Sequence, residues 1–281
     1  MNIAVAQSGG PTCAINASLV GVFSQALKIS EIDAIFGSIN GIEGVINDNL
    51  INLKTMIRTN EDIELLKQTP STVLGSCRYK LPDPDKAGEV YEKIMACFKK
   101  HDIKAFFYIG GNDSMDTVDK LSKYAENNGS DVKIIGIPKT IDNDLCITDH
   151  TPGFGSAAKY IATSVMEINL DAKVYDTPMI CVIEAMGRNA GWLTAAAALA
   201  GHKGLGADLI YLPESAFDID KFVADVKAVC DKNNGKCNNY QFRPFLVNCS
   251  FLFNFPFFVF VIYILKLVVL YRPFNSFHGQ I

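Results

Sequence analysis

Apolar runs of strand length alternate along this chain with helix-length segments of roughly 3.6-residue period, and that alternation restricts the fold more than any other feature. Strands are expected at Ile3–Ala6, Ala34–Phe36, Ala105–Ile109, Val132–Ile137, Met179–Glu184 and Asp208–Leu212. Helices are expected between them at Ile15–Leu27, Lys86–Lys100, Ser114–Glu126, Ser156–Ile168, Gly191–Ala200 and Ile219–Asp231. Repeated strand–helix–strand units imply an α/β fold with a mostly parallel sheet. The break at Thr151-Pro152-Gly153-Phe154-Gly155 divides a first α/β lobe, 1–153, from a second, 154–237.

Composition narrows the function classes. A chain of 281 residues holds one large domain or two modest ones. A formal net charge of -4 gives no basic footprint for nucleic acid. The opening Met1-Asn2-Ile3-Ala4 lacks the basic n-region of a secretory signal. Eight cysteines are scattered with no CxxC pair, which fits free thiols in a cytoplasmic setting. Four histidines far apart in sequence suggest neither a zinc site nor a histidine-based triad.

Five loops carry candidate chemistry. Ser8-Gly9-Gly10-Pro11-Thr12 and Gly110-Gly111-Asn112-Asp113-Ser114 each follow a strand and open a helix. Their glycines permit close backbone approach, and the helices offer free N–H groups and a positive dipole end to a phosphate. Ser114 is a candidate helix cap, and Asp113 suits the dipole. The first loop is neither a Walker A sequence nor the G-x-G-x-x-G dinucleotide fingerprint, which weakens a plain NAD-binding reading. Pro138-Lys139-Thr140-Ile141-Asp142-Asn143-Asp144 places a cation, a hydroxyl and two carboxylates in one turn at a strand's carboxyl end, where open α/β sheets bind ligands. Phosphoryl transfer uses such a set: a base, a cation and a metal-organising carboxylate. Met186-Gly187-Arg188 leaves another apolar strand, and Arg78 and Lys80 in Gly75–Lys80 add cations. Trp192 is expected in the core.

These segments together resemble the phosphofructokinase family. Ser8-Gly9-Gly10, Gly75-Ser76-Cys77-Arg78, Gly110–Ser114, Pro138–Asp144 and Met186-Gly187-Arg188 stand in the family's order and approximate spacing over residues 1–237. The resemblance implies two Rossmann-like three-layer lobes, a phosphoryl-donor lobe and a sugar-phosphate lobe that is incomplete here. It implies phosphoryl transfer to the 1-hydroxyl of fructose 6-phosphate, with Mg²⁺, in glycolysis, by a cytoplasmic homo-oligomer when full length. Asp142 matches the family's proton acceptor. Thr140, Asp142, Met186, Gly187 and Arg188 match sugar-contacting positions. Gly9 and Gly10 match the donor-phosphate loop, joined by Arg78; Asn112 and Asp144 stand at metal-linked positions. ATP-using members usually carry glycine where this chain has Asp113 and Lys139, so the pair resembles the pyrophosphate-dependent branch. A carboxylate at Asp113 would repel the α-phosphate of ATP, and Lys139 would put positive charge on the transferring group.

There are departures. Asn112 replaces an aspartate common in the family, and Met179 stands where many ATP-dependent members carry an arginine. After Cys237 the sequence changes character: six phenylalanines fall within 251–260, followed by Val261-Ile262-Tyr263-Ile264-Leu265. The family's Glu-Gly pair and its basic 6-phosphate contacts are not recognisable in this divergent hydrophobic tail, 238–281. Phe255–Tyr271 falls just short of the ~20 apolar residues that span a bilayer. Translated A/T-rich non-coding DNA accounts for the composition better than an anchor does. The alternatives are therefore an ATP-dependent phosphofructokinase, a catalytically incompetent fragment, or a membrane-tethered binding protein.

Overall fold

The computed structural model describes residues 1–174, 179–187, 189–232, 236–242 and 259–264. These divide into two compact units, one ending at Thr140 and one beginning at Ile141.

In the first unit β1 (Asn2–Gln7), α1 (Ile15–Ala26) and β2 (Ile35–Ser38) are followed by short elements: α2 (Ile42–Ile46), β3 (Leu50–Asn52), α3 (Leu53–Met56) and α4 (Asn60–Gln68). Then come α5 (Gly88–Lys100), β4 (Ile103–Gly110), α6 (Asn112–Asn127) and β5 (Lys133–Pro138). The sheet order is β3-β2-β1-β4-β5, parallel except for β3. The strand period of two sorts the core into two layers. Ile3, Val5 and Ile109 pack with Ile15, Leu19 and Phe23 of α1 on one face. Ala4, Ala6, Phe106 and Tyr108 pack with Tyr91, Ile94 and Phe98 of α5 on the other. Central strands covered on both faces must be apolar throughout, which is why β1 and β4 stood out in the sequence.

The second unit comprises α7 (Phe154–Lys173), β6 (Met179–Ala185), α8 (Trp192–Ala195), β7 (Leu209–Tyr211), α9 (Ile219–Lys232), β8 (Lys236–Phe242) and β9 (Val259–Ile264). Its sheet order is β7-β8-β6-β9, all parallel. Cys181, Ile183 and Ala185 face Ile161 and Val165 of α7, whereas Ile180 faces Phe222, Val226 and Cys230 of α9. Both units are thus three-layered, and the expected α/β architecture is observed.

Three expectations need correction. The alanine-rich segment forms only one helical turn, α8, before tightening into a 3₁₀ stretch at Ala196–Lys203 that Gly204 ends in a left-handed conformation. Trp192, expected in the core, is 54 % exposed. Ser114 does not cap α6: the cap position is Gly111, with no side-chain hydrogen bond, and Ser114 is buried beneath Gly110. An alanine at Gly110 would overlap the Ser114 hydroxymethyl, so these two residues fit only as a pair.

The hydrophobic tail contributes β9, and β8 already spans the position where the composition changes. Among the described residues no helix is long and apolar enough to cross a membrane. Cys13, Cys77, Cys97, Cys146, Cys181 and Cys230 are free thiols, as expected. Burial pushes Cys181 up to about 12.

Candidate active site

Parallel alignment of β1, β4 and β5 brings their carboxyl ends together: Gln7 is level with Ile109, and Gly110 with Pro138. The glycine loops and the charged loop leave from this edge. Ser8 N–H donates to the Ile109 carbonyl (2.8 Å), and Lys139 N–H donates to the Gly110 carbonyl (2.9 Å). Gly9, at φ 77°, lies so close to its neighbours that a Cβ would come 3.3 Å from Lys139 Nζ and 3.6 Å from Gly111 N. That backbone angle favours glycine, and a Cβ would press on the tip of Lys139.

The Gly75–Lys80 segment is stitched to the first loop. Ser76 Oγ donates to the Gly9 carbonyl (2.6 Å), Ser8 Oγ to the Cys77 carbonyl (3.2 Å), and Gly9 N–H to the same carbonyl (3.4 Å). Beneath lies a polar network built on two fully buried amides, Gln7 and Asn16. Gln7 Nε2 donates to Asn16 Oδ1 (2.8 Å), and Gln7 Oε1 accepts from Leu74 N–H (3.0 Å). Asn16 Nδ2 donates to the Thr69 carbonyl (2.8 Å), and its Oδ1 also accepts from Val73 N–H (3.1 Å). Buried amides satisfied in this way fix one geometry, because any other leaves groups orphaned. Gln7 and Asn16 carry little sign of this role in the sequence: Gln7 is a polar residue ending an apolar strand, and Asn16 lies in the first turn of α1.

Lys139 is the most enclosed charge in the set, 3 % exposed, and its ammonium donates to the Gly10 carbonyl at 2.6 Å. Asn112 and Asp113 are exposed in the first turn of α6, and Asp113 pairs with Lys80 at 3.3 Å. Arg78 is exposed one residue beyond Cys77, and Thr140, half-buried, follows Lys139. Gly9, Gly10, Arg78, Asn112, Asp113, Lys139 and Thr140 therefore share one edge of the first unit.

The remaining candidates belong to the second unit. Asp142 is half-buried and Asp144 exposed. Between them Asn143 is buried at φ 56°, donating to the Asp149 carbonyl (3.0 Å) and accepting from Thr151 N–H (2.8 Å). Asparagine tolerates the left-handed region, and its two bonds pin the loop that carries both carboxylates. Met186, exposed, and Gly187, at φ 119°, leave the carboxyl end of β6. Ile141 packs against the hydrophobic cluster that includes Ile183 and Ala185 of β6. Arg188 lies outside the described residues.

Glycine-bordered strand exits, a helix N-terminus and a buried cation lie at one edge of a parallel sheet, where open α/β proteins bind their ligands. The chain belongs to the phosphofructokinase family, whose model matches residues 2–242. It is 44 % identical over 237 residues to the pyrophosphate–fructose 6-phosphate 1-phosphotransferase of Rhodospirillum rubrum, covering 84 % of this chain and 56 % of that protein. A protein of the same name from Xanthomonas campestris is 45 % identical over 237 residues, covering 82 % and 55 %. The crystal structure of a pyrophosphate-dependent phosphofructokinase from Nitrosospira multiformis superposes with a TM-score of 0.78 at 42 % identity, covering 86 % of this chain and 60 % of that one. The chain thus spans little more than half the length of the relatives it matches.

Proposed function

We propose that the chain carries the donor and transfer machinery of a pyrophosphate-dependent phosphofructokinase. The reaction moves a phosphoryl group from pyrophosphate to the 1-hydroxyl of fructose 6-phosphate, yielding fructose 1,6-bisphosphate and releasing orthophosphate. Lys139 carries the reading: its enclosed ammonium, fixed on the Gly10 carbonyl, is suited to a transferring phosphoryl group whose oxygens share negative charge in the transition state. Asp113, in the first turn of α6, opposes the α-phosphate that a nucleotide would bring there. The names of the relatives from R. rubrum and X. campestris support the same donor.

In this reading Gly9, Gly10 and Arg78 hold the donor phosphates. Asp142 takes the proton of the 1-hydroxyl as the oxygen attacks phosphorus, and Thr140, Asp142, Met186, Gly187 and Arg188 contact the sugar. Asn112 and Asp144 would hold Mg²⁺. The donor set fits this ion: both offer oxygen, both are exposed, and Mg²⁺ needs few protein ligands beside waters and substrate phosphates. When bound, the ion supplies charge neutralisation to the phosphate oxygens. The setting is glycolytic and cytoplasmic, with a homo-oligomer when full length and no nucleic acid or membrane partner.

The test is an assay of the purified chain with fructose 6-phosphate and Mg²⁺, supplied with pyrophosphate or with ATP. Product formed with pyrophosphate is expected; product formed with ATP alone overturns the donor assignment. A second reading, donor binding without turnover, is favoured by residues 238–281, which contain no glutamate for the family's sugar-contacting Glu-Gly pair. Pyrophosphate binding by calorimetry with no product from either donor is its signature.

A further inference from the structure

A second group of chemistry-bearing side chains lies apart from the glycine loops, where α5 hands over to β4 at that strand's amino end. Cys97 and His101 are four residues apart, the spacing that stacks two side chains on one helical face. Asp48 reaches them from the turn after α2, in a left-handed conformation at φ 56°. Its Oδ1 lies 3.6 Å from Cys97 Sγ and 2.6 Å from His101 Nε2. The three ligand atoms all stand within 4.8 Å of one another, the only such group of three among the described residues.

We propose that Asp48, Cys97 and His101 form a binding site for a divalent transition-metal ion of the zinc class, with water in the fourth position. Ligand bonds of about 2.0–2.3 Å in a tetrahedron set ligand atoms roughly 3.3–3.7 Å apart. The sulfur–oxygen separation already meets this, and the imidazole–carboxylate pair has only to open as the ion replaces its hydrogen bond. The surroundings orient the ligands in the manner of an outer shell. Lys100 donates to the other Asp48 oxygen, Oδ2, leaving Oδ1 for the cluster. The Phe36 ring packs edge-on against His101, with centroids 5.2 Å apart.

The hydrogen bonds from Lys100 and His101 hold the Asp48 carboxyl down at about 2, so it is ionised. Burial, then the Asp48 carboxylate, push the Cys97 thiol up to about 12, so it keeps its proton until a cation enters. Binding forms metal–sulfur, metal–nitrogen and metal–oxygen bonds and releases the thiol proton to solvent, with His101 ligating as neutral imidazole through Nε2. Thiolate and imidazole select a borderline-soft ion over Mg²⁺, so this site is chemically separate from the one proposed for phosphoryl transfer. It would also staple the turn after α2 to the end of α5.

The full chain, stripped with chelator and dialysed, is titrated with Zn²⁺ by calorimetry and with Co²⁺ by absorption spectroscopy. One equivalent bound, with a thiolate-to-cobalt charge-transfer band, is expected. Cys97→Ser should abolish the band, and His101→Gln should weaken binding by at least about tenfold, while Cys13→Ser and Cys146→Ser leave both unchanged. Circular dichroism checks that each variant is folded. Should Cys97→Ser fail to fold, protection of Cys97 from alkylation by Zn²⁺ in the unaltered chain decides the same question. No stoichiometric binding, a band that survives Cys97→Ser, or alkylation of Cys97 that Zn²⁺ does not slow would overturn the site.

Discussion

Lys139 and Gly10 are 129 residues apart in sequence, yet the bond between them organises the candidate site. The cation was legible in its motif; its partner was not, because a backbone carbonyl has no sequence signature. The same holds for Asp113, whose place beside Lys80 depends on how α6 and the Gly75–Lys80 segment meet. Donor choice is argued at this scale. Asp113→Gly with Lys139→Gly removes the charge opposing a nucleotide and the cation serving pyrophosphate. The kcat/KM ratio for pyrophosphate over ATP is expected to fall by at least about tenfold, since one preorganised electrostatic contact is typically worth that much or more; an unchanged ratio would refute the donor argument. The Gly110–Ser114 fit gives a second prediction. Gly110→Ala forces an overpacked contact and should destabilise the first unit by about 1–3 kcal/mol in urea denaturation. Adding Ser114→Gly should recover part of that loss, whereas equal loss in both variants would exclude the contact as its cause.

At the scale of elements, length decided what could be read. The long α1, α5, α6, α7 and α9 each repeat their apolar face several times, so periodicity located them to within a few residues. The expected end of α7 at Ile168 falls five residues early, because Asn169 and Ala172 continue its buried face. Short α2, β3 and α3 offer too few residues for any period to be counted. The mostly polar α4 offers one local signal, at its start. Thr59 and Asp62 form a capping box: Asp62 N–H donates to Thr59 Oγ1 (3.1 Å), and the Thr59 N–H donates back to Asp62 Oδ2 (2.9 Å). Thr59→Ala should cost about 1 kcal/mol of stability. The Arg58 and Thr59 N–H groups hold the Asp62 carboxyl below its ordinary value. Its contribution is therefore complete above the usual carboxylate range and is lost as pH falls through the depressed folded value. The destabilisation caused by Asp62→Ala, read from urea midpoints, should be largest near neutral pH and shrink as pH falls below the usual carboxylate range; a gap independent of pH would rule the mechanism out.

At the scale of the whole chain, each unit has a core of its own, two apolar layers around a parallel sheet. The single tryptophan belongs to the second unit and is more than half exposed. Its emission should be red-shifted and readily quenched by iodide; a blue-shifted, protected signal would show that Trp192 is in the core after all. In the hydrophobic tail, Val259–Ile264 forms β9 beside β6 although the run around it shows no strand period. The sequence by itself determined the alternation of strands and helices, the glycine exits, the charged loop and the family they resemble, because each is encoded in neighbouring residues. Tertiary structure alone decided the strand order, the Lys139–Gly10 bond, the Gln7–Asn16 network and the Asp48–Cys97–His101 cluster. Each of these joins residues whose separation in the chain says nothing of their distance in space, and only packing both layers onto one sheet brings them within reach.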